Sequence, residues 1–369
     1  MSNLVLYRKY RPKNFSEVVG QEHIVTTLSN ALENDMVSHS YLFCGPRGSG
    51  KTTIARILAK AVNCLDRKGA EPCNKCSACL EINSNRAIDL IEIDAASNRG
   101  IDEIRQLKEG ARFSPTRLKY KVYIIDEAHQ LSKDAANALL KILEEPPAHV
   151  IFILATTDAH KMISTIISRC QRFDFYKLTV PQIVKKLKTI AKAEKTKIDD
   201  DALELIAANS EGAFRDAEGL LDQVITFAQS INDKHITAEE IKEFLGIIDS
   251  KLISEFFDLL IKKDRAKAIG FFNENVEKGI NPFEFAKNLI DYIRYGLLFK
   301  IDPDLNNSLT NTLTSEDRQK IEKQMAKIEE KELRVFLKVF LEAQARMKYS
   351  PIPQLPIELA ILEITDKKE

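Results

Sequence analysis

The segment Gly45-Pro46-Arg47-Gly48-Ser49-Gly50-Lys51-Thr52 constrains this chain more than any other. It follows an apolar run, Tyr41-Leu42-Phe43-Cys44, and opens into Thr53-Ile54-Ala55-Arg56-Ile57-Leu58-Ala59-Lys60. The order is strand, glycine-rich loop, helix, the context in which such a loop becomes a phosphate site. Glycines let backbone N–H groups converge on an anion without a Cβ in the way. The helix that follows adds its unpaired N–H groups and the positive end of its dipole. In that arrangement Lys51 reaches the β- and γ-phosphates and the Thr52 hydroxyl holds Mg²⁺.

At 369 residues the chain has room for two or three domains, each with its own core. Its 54 basic and 54 acidic residues cancel, so a contact with nucleic acid has to come from a local patch. No apolar segment approaches the ~20 residues that span a bilayer. Met1-Ser2-Asn3-Leu4 lacks the apolar stretch of a signal peptide. These features predict a soluble cytoplasmic protein with no membrane partner. Of six cysteines, four are grouped as Cys64 and Cys73-x2-Cys76-x2-Cys79. In a cytosolic chain that grouping favours a metal over disulfides, and four sulfurs imply a closed structural Zn²⁺ site. Cys44 and Cys170, beside apolar strands, read as small buried hydrophobes.

Upstream of the loop, Arg11-Pro12 offers a turn, and Val18 and Val19 offer an apolar wall for a nucleotide base. An arm that merely packs on the core would look the same. A helix is expected from about Gln21 to Glu33. Beyond the cysteines, Ile88–Asp94 reads as a strand, with Ser97 or Asn98 capping a helix near Ile101. Lys121–Glu127 and Val150–Asp158 are apolar runs of the kind buried on both faces, which predicts a parallel sheet flanked by helices. Asp126, at a strand's carboxyl end, is placed to organise Mg²⁺, and Glu127 to polarise an attacking water. His129 reads as incidental. Thr157 is suited either to the γ-phosphate or attacking water, or to capping the next helix. A further helix spans Lys133 to Glu145 and a short strand Gln171 to Phe175. Arg169, alone between apolar segments, reads as a surface salt bridge. From Pro181 strand-like runs stop, and helices follow at about 181–196, 199–209, 213–229 and 237–246, with Asp199 and Thr237 at N-caps. Arg215 lies in a first helical turn, where a cation opposes the dipole and so favours facing an anion. After about Ile248 the chain is helical, with apolar positions Ile253, Phe256, Phe257, Leu260 and Leu333, Phe336, Leu337, Phe340, and with a polar break from Asp302 to Ser315.

Taken together these residues closely resemble the motor subunit, gamma or tau, of bacterial DNA polymerase III clamp loaders, within the AAA+ ATPases. The resemblance covers nearly the whole chain. It rests on Tyr7-Arg8-Lys9-Tyr10-Arg11-Pro12, Val18-Val19-Gly20-Gln21-Glu22-His23, the glycine-rich loop, the cysteine insert after its helix, and Leu90-Ile91-Glu92-Ile93-Asp94-Ala95-Ala96-Ser97. It rests also on Ile125-Asp126-Glu127, Leu143-Glu144-Glu145-Pro146-Pro147, Ala155-Thr156-Thr157-Asp158, Ser168-Arg169-Cys170 and Gly212-x2-Arg215-Asp216-Ala217. The insert discriminates best, because related loaders and helicases generally lack it.

The resemblance implies a RecA-like αβα domain over 1–178 with a zinc module at 63–82, a small helical lid over 179–247, and an all-helical collar that oligomerises over 248–369. ATP would bind through Arg11, Val18, Val19 and Gly45, Pro46, Arg47, Gly48, Ser49, Gly50, Lys51, Thr52 and Thr53. Arg169 would be an arginine finger acting in trans, which reverses its reading as a surface ion pair. Arg215 would be the lid's sensor, and Thr157 would hold the first-sensor position. The implied action is DNA-stimulated ATP hydrolysis that loads a sliding clamp onto primer–template DNA, in a hetero-pentamer with delta- and delta-prime-type subunits. Arg99 and Arg105 are candidate DNA contacts. The chain would belong to a DNA polymerase holoenzyme without itself polymerising. Its end at Glu369 predicts the short form or a truncated long form. A branch-migration or helicase motor and a non-hydrolysing scaffold subunit are the alternatives. The cysteine insert and helical last third argue against the first, and intact Lys51, Thr52, Asp126 and Glu127 against the second.

Overall fold

The computed structural model describes residues 5–98, 100–230, 235–246, 248–302 and 315–366. The chain divides into two compact units, Met1–Ile241 and Lys242–Glu369.

The first unit is built on five parallel strands, β1 (Ser40–Cys44), β2 (Leu90–Asp94), β3 (Lys121–Asp126), β4 (Val150–Thr156) and β5 (Gln171–Asp174), in the order β2-β3-β4-β1-β5. Register is set by pairs such as Phe43 with Ala155 and Ile124 with Ile153. Side chains alternate across a pleated strand, so β1, β3 and β4 each feed two cores. Tyr41, Phe43, Val122, Ile124, Ile151 and Ile153 face α2 (Glu22–Glu33) and α3 (Lys51–Asn63). Leu42, Cys44, Tyr123, Ile125, Phe152 and Leu154 face α5 (Ile101–Ala111) and α6 (Lys133–Glu144). That double burial explains the nearly uninterrupted apolar runs. Three short helices complete this part: α1 (Leu6–Lys9), α4 (Ser77–Asn83) and α7 (Ser164–Ile167).

Helices α8 (Val180–Ala193), α9 (Asp200–Asn209), α10 (Phe214–Ser230) and α11 (Ala238–Leu245) follow, close to their expected spans. The expectation that strands stop is corrected in one detail. Lys197–Ile198 (β6) and His235–Ile236 (β7) pair in parallel. Two residues are too few to leave an alternation in the sequence. Capping is corrected as well. Gly100 takes the N-cap of α5 without a side-chain bond, while Ser97 and Asn98 both donate to Asp94 at 3.1 Å and close the turn after β2. Asp199 stands at the N-cap of α9, but its carboxylate meets His235 Nε2 at 2.8 Å instead of capping. Thr237 and Glu240 do bond reciprocally at the start of α11.

The second unit contains α12 (Ser250–Ile261), α13 (Arg265–Glu277), α14 (Pro282–Ile301), α15 (Ser315–Met325), α16 (Glu330–Met347) and α17 (Leu355–Thr365). Phe256, Phe257, Phe272, Phe285, Phe336 and Phe340 anchor its core. The expected apolar positions are buried, except that Leu337 is half-buried. α14 ends at Ile301, where the polar break was expected, and residues 303–314 lie outside the described ones. Among the described residues no helix is long and apolar enough to cross a membrane.

Candidate functional site

The chain leaves the carboxyl end of β1 directly into the glycine-rich loop. Gly48 has φ 77°, and a Cβ there would lie 2.8 Å from the Ala213 Cβ, so only glycine lets the loop approach the start of α10 this closely. Gly50, at φ 99°, is the N-cap of α3, which has no side-chain cap. The leading N–H groups of α3 are therefore left for an anion. Lys51 is buried, and its Nζ donates to the carbonyls of Gly45 and Pro46 at 2.7 and 2.8 Å. Burial holds that ammonium below its ordinary pKa.

β3 delivers the acidic pair. Thr52 Oγ1 donates to Asp126 Oδ2 at 2.8 Å, so the two residues expected to share Mg²⁺ already touch. Glu127 follows at φ 48°, left-handed backbone that costs a non-glycine residue about 1 kcal/mol. Its Oε2 accepts from Thr157 Oγ1 at 2.9 Å and lies 3.4 Å from His129 Nδ1. His129 is not incidental: its side chain is 6% exposed, its Nδ1 is 2.9 Å from Thr156 Oγ1, and it buttresses Glu127. Thr157 does not cap the next turn, because Asp158 holds that N-cap and donates its N–H to Thr156 Oγ1.

A cavity of about 370 Å³ joins these groups. Its wall takes Tyr7, Arg11, Val18 and Val19 from the N-terminal arm, the loop from Arg47 to Thr53, and both Asp126 and Glu127. Gln182, Lys186, Arg215 and Glu218 of α8 and α10 line it too. Gly45 and Pro46 serve through their carbonyls to Lys51 and do not line it. Thr157 and Arg169 are also outside its lining. Burial lowers the Arg11 pKa. The Arg215 guanidinium stacks 4.6 Å from the Tyr7 ring centre.

Glu218 escaped the sequence reading. It is 4% exposed, and its Oε1 has no hydrogen-bond partner among the described residues. Burial pushes the carboxyl up to about 8, while Lys186 and Arg11 pull the other way. The available signal was an acid one turn before Leu221, on the apolar stripe of α10. Arg169 makes the surface ion pair read from its neighbours, with Nη2 2.5 Å and Nε 2.9 Å from Glu144 Oε1. Arg105 is exposed and pairs with Asp102 at 3.2 Å, whereas Arg99 lies outside the described residues.

The cysteines converge as their spacing predicts. Cys64 closes α3, Cys76 is the N-cap of α4, Cys79 lies within that helix, and all four Sγ atoms fall within 4.8 Å of one another. Cys73 Sγ accepts from the N–H groups of Lys75 and Cys76 at 3.4 and 3.3 Å, and these bonds lower its pKa to about 6. A thiolate is thus favoured there without metal, while burial raises Cys64 and Cys79. Tetrahedral Zn²⁺ at about 2.3 Å from each sulfur needs sulfurs about 3.8 Å apart, a small contraction of this cluster. Cys44 is buried as expected, and Cys170 is half-buried with its thiol pushed up to about 11 by burial.

Three family models match the chain: "DNA polymerase III, delta subunit" over residues 20–179, "DNA polymerase III clamp loader subunit, ATPase lid domain" over 182–230, and "DNA polymerase III subunits gamma and tau domain III" over 236–369. The tau subunit of Bacillus subtilis DNA polymerase III is 43% identical over 364 residues, covering 99% of this chain and 63% of that protein. The chain likewise spans 55% of the Escherichia coli tau subunit, at 37% identity. The gamma subunit of Buchnera aphidicola is 35% identical over 99% of both chains. Among solved structures, the Thermotoga maritima RuvB Holliday junction branch migration motor superposes with a TM-score of 0.51 at 24% identity, over 68% of this chain and 79% of that one. That likeness concerns the fold alone, and it agrees with a RecA-like AAA+ αβα architecture. With a gamma subunit matched from end to end at this identity, the chain belongs to the DNA polymerase III gamma/tau family.

Proposed function

We propose that this chain is the ATP-hydrolysing motor subunit of a replicative clamp loader. The observation that carries the reading is the shared cavity: one space is lined by the loop before α3, by Asp126 and Glu127, by the arm and by Arg215. Each part has a task. The loop and the N-terminus of α3 bind the β- and γ-phosphates of ATP, with Lys51 turning from the Gly45 and Pro46 carbonyls to the anion. Thr52 and Asp126 would hold Mg²⁺, which their 2.8 Å contact suits. When bound, that ion neutralises charge on the phosphate oxygens. Glu127 orients the attacking water, and its bond from Thr157 Oγ1 must reorganise for it to do so. Val18 and Val19 wall the base, and Arg215 reports the phosphates to the lid.

The partition into 1–178, 179–247 and 248–369 belongs to this proposal, as do the hetero-pentamer with delta- and delta-prime-type subunits, the sliding clamp and the primer–template DNA. Arg169 acts in trans: it is exposed enough to leave Glu144, and an arginine supplied by a neighbour makes hydrolysis depend on assembly. The cysteine module would hold a structural Zn²⁺, its four sulfurs leaving no position for a catalytic water. The chain would work within the polymerase holoenzyme, in the cytoplasm, without polymerising. The test is steady-state ATP hydrolysis with and without primed DNA, clamp and partner subunits. Turnover stimulated by the full set supports the reading. Clamp-independent unwinding, or no turnover under any condition, rejects it.

A further inference from the structure

The arm that walls the cavity is held at two ends by different parts of the first unit. Toward its start, Tyr10 Oη and Lys9 Nζ donate to Glu194 Oε1 at 2.6 and 2.7 Å, at the end of α8. The Leu6 N–H points to Asp222 of α10 at 3.4 Å. Toward its finish the arm runs into the cysteine module. Glu71 accepts from two successive backbone N–H groups, Phe15 at 2.9 Å and Ser16 at 2.8 Å. Asn74, between Cys73 and Cys76, donates to the Asn14 side chain. Lys60, 2% exposed, donates at once to the Lys13 carbonyl at 2.8 Å and to Asn74 Oδ1 at 2.7 Å. The pinned residues 13–16 fall between the two stretches of arm that line the cavity, Arg11-Pro12 and Glu17-Val18-Val19.

We infer that Glu71 and Asn74, supported by Lys60, are positioning residues for the nucleotide: the cysteine module is the anchor that sets where the arm's wall stands. The inference rests on the nucleotide reading above and gives the module a task in it. The physical chain is short. Asn74 has φ 56°, a left-handed turn tied to Cys73, whose sulfur accepts the next N–H groups. A four-sulfur centre that fixes Cys73 and Cys76 therefore fixes Asn74. The Glu71 clamp is charge-assisted at both oxygens, which sets the register of Phe15, and Phe15 is itself 2% exposed in the core. Losing the anchor frees residues 13–16 and blurs the wall on either side, so nucleotide binding weakens with the catalytic acids untouched. Linkage makes the effect reciprocal: nucleotide must tighten the module's hold on its metal.

The test uses the full chain loaded with Zn²⁺ and a fluorescent ADP analogue. Glu71→Ala and Asn74→Ala should keep one zinc per chain yet bind the analogue about tenfold more weakly, the scale of one charge-assisted hydrogen bond. Amide exchange should quicken over residues 11–19 and stay unchanged in β1 and α3. In the assembled loader the Michaelis constant for ATP should rise while the saturated rate holds within about twofold. In the unsubstituted chain, ADP should slow zinc transfer to a chromogenic chelator several-fold, a measurement that stands even if a variant fails to fold. Unchanged analogue affinity in zinc-loaded variants, or chelation indifferent to ADP, overturns this inference alone. A parent chain that binds no analogue overturns it together with the reading beneath it.

Discussion

Glu218 gives the sharpest quantitative prediction. A carboxyl with one oxygen buried and unpartnered among the described residues should be costly to ionise. Burial raises it from the usual 4.5 to about 8. Between those values the folded chain holds a proton that the unfolded chain has released, so folded stability falls as pH climbs through the window and levels off above about 8. Replacing the acid by an isosteric amide removes that dependence. Glu218→Gln should therefore match the parent near pH 4–5 and gain on it by about 1.4 kcal/mol per pH unit above that. The gain should approach at most about 4–5 kcal/mol at pH 8 and then stay flat. The chain has no tryptophan, so urea unfolding is best followed by hydrogen exchange of peptides from α10, which isolates this unit. A stability difference that stays constant from pH 5 to pH 9 would refute the argument and place an unseen partner on the carboxyl.

Glu127→Gln should bind ATP as the parent does and turn it over at least about 100-fold more slowly, as measured by binding and single-turnover hydrolysis. Arg169→Ala should keep nucleotide affinity in the isolated chain and lose about 10³ in turnover only within the assembled loader; parental turnover there would return the residue to its surface pair with Glu144. Chelating the metal should expose residues 63–82 to protease while α12–α17 stay resistant, and equal resistance before and after chelation would remove the structural-site claim.

Much of this was legible because it is local. The strand, loop and helix around Lys51 are adjacent in sequence, and the two-faced burial of β1, β3 and β4 leaves apolar runs that announce a parallel sheet. The cysteine spacing likewise carried its own geometry. Long-range contacts were not legible. His129 supports Glu127 only because β4 brings Thr156 beside it. Glu218 reaches the cavity because α10 packs against the loop at Gly48, a meeting made 165 residues later in the chain and invisible to periodicity. The cap of α5 failed for a related reason, since Ser97 and Asn98 answer to Asp94. Asp199 does stand at the N-cap of α9, but its carboxylate answers to His235, a partner that competes with the helix N–H groups. Arg169 shows both sides, since its neighbours foretell the ion pair and only the family resemblance suggests a second use.

The central claim is that the glycine-rich loop grips the phosphates of ATP. Equilibrium titration of the isolated chain with a fluorescent ATP analogue and Mg²⁺, in parallel with Lys51→Ala, tests it directly. Saturable one-to-one binding in the parent, weakened at least about 30-fold in the variant by loss of the buried ammonium, is the expected result. Equal binding by both chains would contradict it.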